Sequence, residues 1–94
     1  MCTLEARWSV VVEVTDQAGT PIQDATAVYS VDGEPAVACT TLGNELLCGA
    51  EVDGGFEITV SARGYMPALV SAEVDDGRCH VEGQHVNLAL EPTS

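Results

Sequence analysis

Gly54-Gly55-Phe56-Glu57-Ile58-Thr59-Val60-Ser61-Ala62-Arg63-Gly64-Tyr65 alternates apolar with polar side chains and is bounded by glycine at both ends. On an extended chain Phe56, Ile58, Val60 and Ala62 share one face, and Glu57, Thr59, Ser61 and Arg63 share the other. A strand with one dry face needs a second sheet to cover it, so the stretch predicts a sandwich or barrel rather than a helical fold. It carries no chemistry of its own.

The flanking sequence repeats the period of two. Trp8, Val10, Val12 and Val14 alternate with Ser9, Val11, Glu13 and Thr15, which predicts a first strand whose apolar face begins at Trp8. Asp16-Gln17-Ala18-Gly19-Thr20-Pro21 concentrates turn residues and reverses the chain. Ala25, Ala27, Tyr29 and Val31 then share a face, and Asp32-Gly33-Glu34-Pro35 closes that second strand. Residues 36 to 52 read as a hairpin with Gly43-Asn44 at its tip. After Gly64-Tyr65-Met66-Pro67, the residues Ala68, Val70, Ala72 and Val74 alternate with Leu69, Ser71, Glu73 and Asp75. A short helix competes there, but Pro67, the β-branched valines and the period of two favour a strand. Asp75-Asp76-Gly77 turns the chain again, and a last strand carries Val86, Leu88 and Leu90 inward. The pattern predicts an all-β, seven-stranded Greek-key sandwich, with residues 1–7 as a leader, 8–91 as the sandwich and 92–94 as a polar tail.

Composition narrows the functional classes. The 94 residues suffice for one core, and with only four aromatic side chains that core is built from Val, Leu, Ile and Ala. Fifteen acidic residues stand against three arginines and no lysine, for a net charge of -12, which excludes nucleic-acid binding, since phosphate contacts need clustered basic residues. The charge reads as a solvated surface that keeps a monomer in solution; cation or basic-partner binding and adaptation to a salty medium would look the same. No apolar run is long enough to span a membrane.

The residues Val10 to Val14, Asp16, Gly19, Pro21-Ile22 and Ala25, followed by Gly55 to Tyr65, resemble the carboxypeptidase regulatory-like domains, prealbumin-like sandwiches of seven strands. The resemblance spans roughly residues 9 to 91 and rests on structural glycines, prolines and alternating apolar positions. It implies the fold of such modules, which are appended to enzymes, receptors and surface proteins, and a folding, spacing or binding role. Three active relatives are tested by residue. Metallocarboxypeptidase chemistry needs His-x-x-Glu on zinc, but His80 is followed at that spacing by Gly83 and His85 by Leu88. Hydroxyisourate hydrolases end in Tyr-Arg-Gly-Ser, whereas this sequence ends Leu90-Glu91-Pro92-Thr93-Ser94. Lysine-asparagine isopeptide bonds need a lysine. No catalytic, cofactor-binding or metal-binding residue is therefore expected.

Four cysteines allow three pairings. With Gly43-Asn44 as a two-residue loop, Leu42 faces Glu45, Thr41 faces Leu46 and Cys39 faces Cys48, at a non-hydrogen-bonded site where Cα atoms approach to about 4.5 Å. That register predicts a Cys39–Cys48 disulfide and with it an oxidising, extracytoplasmic compartment. Zinc is disfavoured because the pair lacks Cys-x-x-Cys spacing. For Cys2 two readings stand open. It resembles the lipid-modified first residue of a bacterial lipoprotein, with a lipid anchor as the only membrane attachment. Alternatively it bridges Cys79, which requires first and last strands to lie parallel with their starts at the same end.

Cys79 and His80 invite a catalytic reading, but neighbours on a strand point to opposite faces and cannot form a dyad. His80 with His85 is a weak metal pair, and Asp53, Asp75 and Asp76 form turns without EF-hand spacing. The expected role is a non-catalytic spacer or interaction module of a bacterial surface or periplasmic lipoprotein, with an unknown protein or glycan partner. A second reading gives it a carbohydrate or protein ligand at the end loops, where Tyr65, Met66 and Tyr29 are the few side chains able to make apolar contacts; against it, Tyr29 is expected in the core and Tyr65 as its cap. A third makes it a calcium-stabilised adhesion domain.

Overall fold

A computed structural model of the protein describes residues 8–50, 52–75 and 83–93. Within them the chain is all-β and forms two four-stranded sheets. The strands are β1 (Trp8–Thr15), β2 (Thr26–Val31), β3 (Val37–Ala38), β4 (Thr40–Leu42), β5 (Glu45–Ala50), β6 (Gly54–Ser61), β7 (Ala68–Val74) and β8 (Gln84–Ala89). One sheet has the order β4-β5-β1-β8 and the other β3-β2-β6-β7.

The strand that decided the reading is interior to its sheet. β6 pairs antiparallel with β2, Tyr29 opposite Ile58, and with β7, Ile58 opposite Val70. Its alternation is realised as expected: Phe56, Ile58 and Val60 are buried while Glu57, Thr59 and Ser61 are exposed. Val10, Val12, Val14, Leu46 and Leu90 meet them from the other sheet, with Ala27, Val70 and Val74 completing the core. Burying a Val or Ile side chain contributes about 1.5–3 kcal/mol, so these interdigitated faces supply most of the drive to fold.

Eight hydrogen-bonded strands replace the seven expected, because the run from Val37 to Leu42 divides between the two sheets. Val37 and Ala38 pair with β2, whereas Thr40 to Leu42 pair with β5. Cys39 is the corner. Its N–H donates to the Ala27 carbonyl at 2.9 Å in one sheet, while its sulfur reaches Cys48 in the other. The same run therefore closes this side of the sandwich as an edge common to both layers. At the hairpin tip only Gly43 takes a positive φ, 62°, which gives a two-residue turn of the II′ kind and the register of Leu42 opposite Glu45.

The first strand departs from the simple alternation at its start. Trp8 is 41% exposed and does not set the apolar face, whereas Ser9, expected on the wet side, is fully buried. Its hydroxyl donates to the Val52 carbonyl at 2.6 Å and accepts the Val52 N–H at 2.9 Å. Opposite this point Gly49 has a φ of 73°. A Cβ there would lie 2.9 Å from Cζ of Phe56, so the glycine leaves room for the ring.

β1 and β8 pair in parallel, Val10 opposite Gln84 and Val12 opposite Val86. The two strands therefore start at the same end. Beyond β8, Glu91 accepts the Met66 N–H at 2.8 Å, Tyr65 and Pro92 form an antiparallel bridge, and the Thr93 N–H reaches the Gly64 carbonyl. Pro92 and Thr93, read as a polar tail, are thus bonded to the loop after β6.

Candidate functional site

The sandwich presents loops at two ends, and β6 orders them. At the end where β6 begins lie the turn after β2, the segment between β5 and β6 and the exit of β7. Asp32 and Gly33 occupy a tight turn there, with φ of 51° and 82° and the Glu34 N–H on the Val31 carbonyl. The Asp32 carboxylate accepts the Gly55 N–H at 2.9 Å, and the Asp32 N–H returns a bond to the Gly55 carbonyl. An open depression of about 550 Å³ runs past Asp32, Gly55, Glu57, Ser71 and Glu73. Its rim carries the carboxylates of Asp32, Glu57 and Glu73. Among the described residues, however, no three acidic, cysteine or histidine side chains converge in a way that could hold a metal ion. Asp53 and Asp75 are exposed near this end.

The opposite end carries the turn after β1, the hairpin tip and the loop after β6. The Asp16 carboxylate accepts the N–H groups of Ala18 and Thr20, each at 2.9 Å, and so shapes its own turn. Gln17 donates to the Leu90 carbonyl at 3.2 Å. Tyr65 is half-buried beside Asp16, Gln17, Ala18 and Pro92, which line a shallow depression of about 280 Å³. A smaller one of about 220 Å³ adjoins it at Met66, Pro67, Leu90 and Glu91, where Met66 is half exposed. These two expected contacts therefore stand next to each other on one surface. Tyr29 does not join them: its ring stacks on Phe56 with centroids 5.4 Å apart, facing the core on the other half of β6.

Cys39 and Cys48 form a disulfide with a Cα–Cα distance of 4.6 Å, in the register expected of the hairpin. Cys2, Cys79, His80 and Asp76 lie outside the described residues. His85 sits on the outer face of β8, and its Nε2 is 3.3 Å from Oε2 of Glu13. Both side chains are exposed, so this is a surface pair whose worth to stability is small.

Two relationships escaped the sequence. Ser9 with Val52 was hidden by the alternation rule, which assigns every second residue of β1 to solvent. Glu13 with His85 depends on which strand becomes the neighbour of β1, and no local pattern states that. A Ser within an otherwise apolar run is the one signal that could have prompted the first.

No known protein-family model matches the chain, and no curated protein matches it.

Proposed function

We propose that the chain is a non-catalytic, extracytoplasmic β-sandwich module, a spacer or interaction domain of a bacterial surface or periplasmic protein, with the prealbumin-like topology of the carboxypeptidase regulatory-like domains. The observation that carries this reading is the Cys39–Cys48 disulfide at the corner shared by both sheets. Such a bond persists where thiols are oxidised, and here it ties down the strand that closes the sandwich. The parallel pairing of first and last strands, with antiparallel pairing elsewhere, supports the topology.

The same parallel pairing bears on Cys2. Counted from the paired residues Val10 and Gln84, Cys2 lies eight positions upstream (10 − 2) and Cys79 five (84 − 79), and the neighbouring strands β1 and β8 run parallel roughly 5 Å apart. The shared starting end meets the geometric requirement of a Cys2–Cys79 disulfide, and a lipid-modified Cys2 remains the other form. Either form belongs outside the cytoplasm. Mass spectrometry of the natively produced protein decides between a crosslinked Cys2–Cys79 peptide and a diacylglyceryl adduct, and free thiols at all four cysteines would sink the extracytoplasmic assignment.

A second reading, a carbohydrate or protein ligand at the end loops, is favoured by the adjacent Tyr65 and half-exposed Met66 beside two shallow depressions, one mostly apolar and one of mixed polarity. Calorimetric titration with cell-wall glycans and with calcium tests it. Heat that disappears in Tyr65→Ala supports a binding module, and no heat with any of them leaves the spacer role standing.

A further inference from the structure

The two sides of the sandwich end differently. On one side the run from Val37 to Leu42 crosses between the sheets and closes them. On the other, among the described residues, no strand pairs with the outer edge of β8 or of β7. Open edges are commonly blunted by charge or proline. β7 carries Glu73 in this way. The β8 sequence, Gln84-His85-Val86-Asn87-Leu88-Ala89, holds no proline, lysine, arginine or carboxylate.

The edge of β8 has a defined polarity. Leu90 donates its N–H to Thr15 of β1, and successive backbone groups along a strand alternate in direction. The N–H and C=O groups of His85, Asn87 and Ala89 therefore point away from β1. One step further along, the outward carbonyl of Glu91 already accepts the Met66 N–H, and Pro92 bridges Tyr65. The C-terminal extension of this edge thus takes an extended segment, and among the described residues no strand continues that pairing along His85, Asn87 and Ala89. Val86 and Leu88 face the core yet are only half-buried, and no described strand continues the sheet beside them.

We infer that the β8 edge is a strand-addition site for an extended peptide that alternates apolar with basic residues. Apolar side chains of the added strand would cover Val86 and Leu88. The intervening ones would lie on the outer face, next in the row after Asn87, where Glu13 is flanked by Glu45 and Asn87. Basic residues there lie beside Asn87, about 10 Å from Glu13 and about 14 Å from Glu45 at the usual strand spacing, and are drawn by the longer-range field of that acidic row on a protein of net charge -12. Main-chain bonds supply affinity in this mode, and alternate side chains supply selectivity. The inference is independent of the compartment and of the end-loop ligand.

The test is NMR titration of the ¹⁵N-labelled full chain with a short synthetic peptide alternating lysine and valine, capped at both ends. Shifts and slowed exchange are expected at the amides of His85, Asn87 and Ala89, weakening as salt rises. A glutamate-valine peptide and a lysine-valine peptide N-methylated on its β8-facing amides should both lose the response. Asn87→Pro should lose it too, because the Asn87 N–H points outward and its removal costs no bond to β1. Should that variant fail to fold, the N-methylated peptide on the wild-type chain makes the same comparison. Perturbation confined to the β7 edge or to a sheet face, equal response to the acidic peptide, or no response at millimolar peptide would overturn the inference. So would self-association in sedimentation that protects the same amides without peptide, which would make the occupant a second copy of this chain.

Discussion

Ser9 holds Val52 by both of its main-chain groups. The hydroxyl accepts the Val52 N–H at 2.9 Å and donates to its carbonyl at 2.6 Å, so one side chain replaces a rung of sheet where the chain passes from β5 to β6. Ser9 is fully buried and Val52 half-buried. Ser9→Ala leaves a donor and an acceptor of Val52 unpaired and is expected to cost about 1–3 kcal/mol. Urea unfolding measures this as a lower midpoint at unchanged slope; an unchanged midpoint would show that water takes over both bonds.

Cys39 lies at the point where its run leaves one sheet for the other, so its disulfide anchors the shared edge. In the chain-entropy model a closed loop of about ten residues contributes about 2.5–3 kcal/mol, and the two cysteines are nine positions apart. Replacing both with Ala should lower stability by about that amount. Hydrogen exchange should quicken first from Val37 to Leu42, while β6 amides keep their protection. Uniform loss of protection across both sheets would mean that the edge and core open together.

Gly49 combines a φ of 73° with contact against the Phe56 ring. An alanine there takes a left-handed conformation costing about 1–2 kcal/mol, and its methyl meets Cζ of Phe56 at 2.9 Å. Gly49→Ala should therefore destabilise by more than the backbone cost alone. Combining it with Phe56→Leu should recover part of the loss in a double-mutant cycle, the signature of steric coupling. Strict additivity would show that the ring moves aside at no cost.

Ile58 stands at the centre of β6 with no solvent exposure. Ile58→Asp places an unpaired charge in the core and is expected to unfold the protein. Ile58→Val, which removes one methylene, should cost about 0.5–1.5 kcal/mol. Circular dichroism and thermal melting check both. A soluble, cooperatively melting Ile58→Asp variant would mean that the apolar face of β6 is not the buried one.

Much of the fold was legible in local sequence because strands and turns write short-range signals. The alternation around Phe56, Ile58 and Val60 placed the buried face, and Gly43-Asn44 set a register that brought Cys39 to Cys48. Trp8 and Ser9 were misplaced for a physical reason: at the entry to a strand, cover from another segment outweighs alternation, and Val52 covers Ser9 but not Trp8. The candidate site was less legible. Tyr65 and Met66 lie on one surface beside Pro92 and Glu91. Tyr29 packs against the core, as its place on the apolar face of β2 implied, and its ring stacks on Phe56.

The sequence by itself determined that the chain is all-β, which faces of its strands are dry, where its turns fall and which two cysteines meet across the hairpin, since each depends on residues within a few positions of one another. The tertiary structure decided that one edge run serves both sheets through Cys39, that β1 and β8 lie parallel, that Pro92 and Thr93 bond to the loop of Tyr65, and that the β8 edge stays open among the described strands. Those features depend on which strand becomes the neighbour of which. That choice is made by burying the dry faces collectively across long stretches of chain, and no local period records it.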